Sequence, residues 1–168
     1  KGGGAEGEIA RHRLDLDPAL IRAGKDPVYS AFCDGGEIPL FPAARELIEL
    51  LAAAGVRLAI ASGSYGRDVR ALLEAHRLAG AFEAIVGKDD SILLKPHPDP
   101  YLIAARRLAL PPASCVAVED AEKGVLSARA AGMPVIVVGT EVTRGIPIDG
   151  ADLRLGSLDE LLDLVRGS

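Results

Sequence analysis

From Val56 to the end of the chain, short apolar runs alternate with helical patterns, and few folds accommodate that order. Val56 to Ala61, Phe82 to Val86, Cys115 to Val118 and Val135 to Val138 are each long enough for a strand and too short for a helix. Between them, Val69, Leu72, Leu73 and His76 fall on one helical face that stops near Gly80. Asp99 and Pro100 open a second helix reaching to about Leu110, and a third ends at Gly132. Ser157 to Glu160 reads SLDE, a capping box that opens a last helix with Leu158, Leu161, Leu162 and Val165 inward. Such alternation implies an α/β fold with a doubly wound, mostly parallel sheet and right-handed crossovers.

Upstream the pattern is looser. Lys1 to Glu8 is glycine-rich and reads as disordered or tag-like. Asp17 before Pro18 signals a short helix within Asp15 to Gly24, and a second helical piece spans Pro27 to Cys33. Asp34 to Pro42 is a glycine- and proline-rich connector, followed by a helix over Ala43 to Ala54 that Gly55 ends. At 168 residues the chain has the size of one domain with a substantial core. A formal charge of −5 without a basic block argues against nucleic acid or an anionic membrane as partner, and leaves room for a small anionic substrate. No apolar run has the length of a membrane span. Two cysteines, Cys33 and Cys115, make no disulfide framework and point to a reducing cytoplasm.

Three strand ends carry polar groups of different kinds, and ligands of open α/β sheets gather at that edge. Ser62, backed by Gly63, fits either an anion site of hydroxyl and amides or a plain Ser-Gly turn before a helix. Lys95 sits in a loop stiffened by Pro96, Pro98 and Pro100, which suits a fixed charge aimed at phosphate, although an exposed loop lysine is the commoner case. Glu119 and Asp120 adjoin at the end of the Cys115 to Val118 run, which reads as a buried parallel strand emerging at the sheet's carboxyl edge. They fit a Mg²⁺ site, or a solvated glutamate beside a helix-capping aspartate. Together, a hydroxyl with amides, a fixed cation and a carboxylate pair meet the needs of phosphoryl transfer.

In chain order, IASGS (Ile60 to Ser64), KPHPDPY (Lys95 to Tyr101) and VEDAEKGVLSARAAGM (Val118 to Met133) resemble the second, third and fourth motifs of the haloacid dehalogenase (HAD) superfamily. The likeness is to its β-phosphoglucomutase-like phosphatase branch and runs from about Ile38 to Val138. It implies a HAD-like, Rossmannoid core. It also implies that Ser62 and the amide of Gly63 hold the phosphoryl group, that Lys95 bridges it to the nucleophile, and that Glu119 and Asp120 bind Mg²⁺. The substrate so implied is a small phosphorylated metabolite, acted on by a phosphatase or phosphomutase. Ala121 departs from the family, which often has serine there.

The first motif of that family, a buried strand ending in DxDG with the aspartyl nucleophile, has no match. DLDPAL (Asp15 to Leu20) mimics its spacing, but the preceding segment contains Arg11, His12 and Arg13, which a central strand cannot easily bury. Residues 9–36 look instead like a remnant of the family's helical cap, with 37–168 as the core. The chain is then a truncated form lacking the strand that the family places between those ending at Ser62 and Asp120. Two readings follow: a phosphoryl-transfer enzyme whose nucleophile lies elsewhere, or a non-catalytic chain that binds phosphate, metal or a protein partner. Oligomeric state and substrate identity are not encoded legibly.

Overall fold

The computed structural model of the chain describes residues 18–140, 143 and 148–167. Helix α1 (Pro18–Gly35) is continuous. The two helical pieces expected around Gly24 are therefore one helix, which runs through Pro27. A proline removes one amide donor, and the packing of α1 on a later helix (Gly66–Ala75, named α3 below) keeps the chain helical across it. The tag-like leader and both carboxylates of the DLDPAL nucleophile mimic, Asp15 and Asp17, lie outside the described residues, which begin at Pro18.

Helix α2 (Ala44–Ala53) is followed by β1 (Ala59–Ala61), α3 (Gly66–Ala75) and β2 (Ala84–Val86). Then come α4 (Asp99–Arg107), β3 (Ala117–Glu119), α5 (Glu122–Ala130) and β4 (Val135–Val138). The chain closes with β5 (Leu153–Leu155) and α6 (Leu158–Arg166). The alternating α/β order read from the sequence is present, and every pairing among the described strands is parallel. At the start of α6, Ser157 Oγ accepts from the Glu160 amide at 3.4 Å. Glu160 Oε2 accepts from the amide of Gly156, one residue earlier than a capping box would place it. Strand β5 was not anticipated, because Leu153-Arg154-Leu155 offers too little apolar run to read as one.

Among the described residues the sheet is in two parts. β1 pairs with β2, in register Ala59 with Ala84, and β3, β4 and β5 form a second unit, with Ala117 opposite Val135 and Ile136 opposite Leu153. Among the described residues no ladder joins β1 to β3. The division falls between the strands that lead to Ser62 and to Asp120. It also corrects one expectation: the run Cys115 to Val118 is not fully buried, since Val116 and Val118 are 58% and 47% exposed. Ala117 faces the core while the alternate side chains meet no covering layer.

Side-chain packing bridges the two units. Tyr101 and Ala105 of α4 join Ala117, Val125, Val135 and Val137 in one cluster, and Ala61 of β1 packs against it. On the other face, Leu47 of α2 meets Val138 and the buried Leu161 and Leu162 of α6. Each such leucine stabilises the fold by about 2 kcal/mol. A third cluster sets Val69 and Leu73 of α3 against Ile85 of β2. Helices therefore lie on both faces, leaving one side of β3 uncovered, and the carboxyl ends of β1, β2 and β3 open toward one edge.

Candidate active site

A cavity of about 350 Å³ opens at that edge, and the five residues singled out from the sequence all line it: Ser62, Gly63, Lys95, Glu119 and Asp120. Ser62 sits directly after β1, its amide bonded to Val86 O at 2.8 Å, which pins the loop to β2. Its Oγ accepts from the Ser64 amide at 3.1 Å, a local turn that leaves the hydroxyl proton free to donate. Among the described residues the Gly63 amide makes no hydrogen bond, and apart from its chain neighbours nothing lies within 4 Å of where a Cβ on Gly63 would sit. A hydroxyl and an unpaired amide thus stand together on the cavity wall. The N-terminus of α3 just beyond is not available to an external anion, because the Gly66 amide donates to Asp89 Oδ1 at 2.7 Å. That approach depends on Gly87, where a Cβ would lie 2.2 Å from Gly66 N.

Opposite, Glu119 is held tightly, its side chain only 9% exposed. Its Oε1 accepts from both Lys95 Nζ and the hydroxyl of Tyr101. Lys95 Nζ is also 3.4 Å from that hydroxyl and 4.8 Å from the centre of its ring. Glu119 Oε2 accepts a longer bond, 3.3 Å, from the Asp120 amide. The carboxylate fits here only because residue 124 is glycine: a Cβ there would fall 2.0 Å from Glu119 Cδ. The loop bearing Lys95 is further tied down by Ser127 of α5, fully buried, whose hydroxyl donates to the carbonyl of His97.

Asp120 is the contrasting carboxylate. It faces the cavity and solvent, and its pKa is raised, first by partial burial and then by the charge of Glu119, with Lys95 only partly offsetting them. Burial pushes the Tyr101 phenol far up as well, with the Glu119 charge adding to it, so that its hydroxyl stays protonated and donating. Two adjacent carboxylates, one already balanced by Lys95 and one left without a full counter-charge, form a hard oxygen donor set. Mg²⁺ takes such sets with one or two protein carboxylates, filling its shell from water and phosphate oxygens. Among the described residues no group of three metal-binding side chains converges. The donors present therefore fit the ion but supply only part of its shell.

The profile of the haloacid dehalogenase-like hydrolases matches residues 5–132. The chain belongs to this family. Protein CbbY of Rhodobacter capsulatus is 38% identical over 165 residues, covering 92% of this chain and 73% of that protein. The crystal structure of CbbY from Rhodobacter sphaeroides in complex with phosphate superposes with a TM-score of 0.77 at 35% identity, over 96% of this chain and 76% of that one. The same protein, as a mutant in complex with xylulose-(1,5)bisphosphate, gives 0.77 at 36%, over 95% and 75%. The HAD-like fold inferred from the sequence is thereby confirmed, and by resemblance the chain is a hydrolase of the phosphatase type. The sequence did not reveal Tyr101, Gly124 or Ser127 as parts of the site. A glycine in a first helical turn, four residues after an acidic pair, was the one signal that could have done so.

Proposed function

We propose that this chain carries the phosphate- and Mg²⁺-binding machinery of a phosphoryl-transfer enzyme acting on a small phosphorylated metabolite. One observation supports the reading above others: two free donors, the Ser62 hydroxyl and the Gly63 amide, share a single cavity with Lys95 and the Glu119–Asp120 pair. The donors would hold two phosphoryl oxygens, and Lys95 would neutralise a third. Asp120, with Glu119 beside it, would hold Mg²⁺, which supplies positive charge to the phosphoryl oxygens as charge accumulates on them. Leu94 and Pro100 would supply the apolar part of the wall beside that group. The xylulose bisphosphate bound by the Rhodobacter sphaeroides relative fits the same substrate class. Two free cysteines fit a cytoplasmic setting, and among the described residues no helix is long and apolar enough to cross a membrane.

The nucleophile is not among the described residues of the cavity. That observation favours a second reading, in which this chain binds phosphate and metal without turnover. Hydrolysis of p-nitrophenyl phosphate with Mg²⁺ separates the two. Turnover that is lost in Lys95→Met supports the enzyme, and its further loss in Asp15→Asn assigns the nucleophile to the DLDPAL segment. Absence of turnover, with inorganic phosphate still raising the affinity for Mg²⁺, supports the binding chain. If neither phosphate nor Mg²⁺ alters thermal stability, both readings are wrong.

A further inference from the structure

Lys95 has two claims on it. It is bonded to Glu119 now, and the phosphoryl reading of the cavity requires it to serve an anion held by Ser62 and Gly63. An ammonium that turns toward a phosphoryl oxygen weakens its hold on Glu119. The carboxylate is then free to rotate away from Asp120 unless something else keeps it in place. The second donor on Glu119 Oε1 is the Tyr101 hydroxyl. Tyr101 is itself immobile: it lies in the first turn of α4, is 8% exposed, and packs into the cluster that includes Ala117 and Val125. Gly124 closes off the opposite side, so the carboxylate has one seat with a fixed donor on one wall and bare backbone on the other.

We infer that Tyr101 is a positioning residue that keeps Glu119 beside Asp120 when Lys95 turns to the phosphoryl group, and so sustains the cation site in the loaded state. This rests on the phosphoryl and metal reading given above. Its consequence is conditional. With the cavity empty, Lys95 and Tyr101 hold Glu119 redundantly, and removing the hydroxyl changes little. With phosphate present, or with Lys95 removed, the hydroxyl is the remaining side-chain donor on that oxygen.

The test measures the Mg²⁺ dissociation constant by calorimetry on the whole chain, with and without inorganic phosphate, in wild type, Tyr101→Phe, Lys95→Met and the double variant. Phenylalanine keeps the ring, and the melting temperature of metal-free Tyr101→Phe reports any loss of packing. Without phosphate, Tyr101→Phe is expected within about twofold of wild type. With phosphate it binds Mg²⁺ about tenfold more weakly, the worth of one charge-assisted hydrogen bond. In the Lys95→Met background the same substitution weakens binding about tenfold with or without phosphate. An equal effect under all four conditions, or none, overturns the inference, as does a fall in melting temperature with unchanged Mg²⁺ affinities. If wild type binds neither phosphate nor Mg²⁺, the parent reading falls and takes this one with it. Binding intact in wild type and unmoved by Tyr101→Phe removes this inference alone.

Discussion

Two carboxylates among the described residues are withdrawn from water, and they are treated in opposite ways. Glu119 has donors on both oxygens, from Lys95, Tyr101 and the Asp120 amide, and a glycine clears its seat. Asp68, in the first turn of α3, is 2% exposed, yet its Oδ1 has no hydrogen-bond partner. Arg67 Nε lies 3.4 Å from that oxygen without the geometry of a bond, and the positive end of α3 adds a diffuse attraction. Its charge is felt instead by α1, where burial raises the pKa values of Tyr29 and Cys33 and the field of Asp68 contributes in both cases. Burial of an acid is thus no mark of a functional site. Convergence of fixed donors from separate elements is.

The largest expected effect comes from filling the seat. Gly124→Ala forces the Glu119 carboxylate out and leaves Lys95 without its partner, a loss of about 3 kcal/mol by comparison with other broken buried pairs. Urea denaturation measures it, and a change below about 1 kcal/mol would show that the carboxylate has somewhere else to go.

Asp120→Asn sharpens the contrast within the acidic pair. Thermal stabilisation by Mg²⁺ should disappear. In metal-free protein the sign reverses: the raised pKa of Asp120 means that its contribution is fully present in acid and is lost as pH rises through the folded-state value. The variant should therefore match or exceed wild type in melting temperature at neutral pH without metal. A lower value would contradict the pKa direction.

Asp90 provides the opposite case. Arg107 on Oδ1, and the Gly87 amide on Oδ2 at 2.8 Å, hold its pKa below the ordinary aspartate value. Its stabilisation is present above that ordinary value and is lost as pH falls through the lowered one. Asp90→Asn should flatten the acid limb of a stability–pH curve, and an unchanged limb would assign acid lability to other groups. The smallest change is expected at Asp68. Asp68→Asn, which removes a charge but no hydrogen bond to Oδ1, should stay within about 1 kcal/mol of wild type in the same urea titration. A loss as large as that of Gly124→Ala would erase the distinction between the two carboxylates.

What could be read from the sequence was whatever its local order encodes. Ser62, Lys95, Glu119 and Asp120 each mark the point where an apolar or rigid stretch gives way to polar groups, and parallel strands bring such points to one edge. Tyr101 was invisible as a site residue because its partner is 18 positions away, and an aromatic in a first helical turn looks like core. Gly124 did not by itself point to the site, since the chain segment that fills its vacancy lies on the preceding strand end. The exposure of Val118 was misjudged for a related reason: a strand's burial depends on what lies across it, which its own residues do not specify. Strand β5 was missed because Arg154 interrupts it, and tertiary pairing with β4 overrides its composition.

The division of the sheet has a mechanical meaning. Among the described residues, Ser62 and Asp120 follow strands of separate ladders, and what joins those ladders is side-chain packing by the α4 layer, with Ala105 and Tyr101 in the shared cluster. The opening between Ser62 and the carboxylates is therefore gauged, among these elements, by side-chain thickness, as a shim sets the gap of a vice. Backbone ladders resist such displacement far more stiffly than packed methyl groups do. A single added methylene at Ala105 would widen the jaws while leaving both half-sheets intact, and warming should loosen the cavity before either half melts.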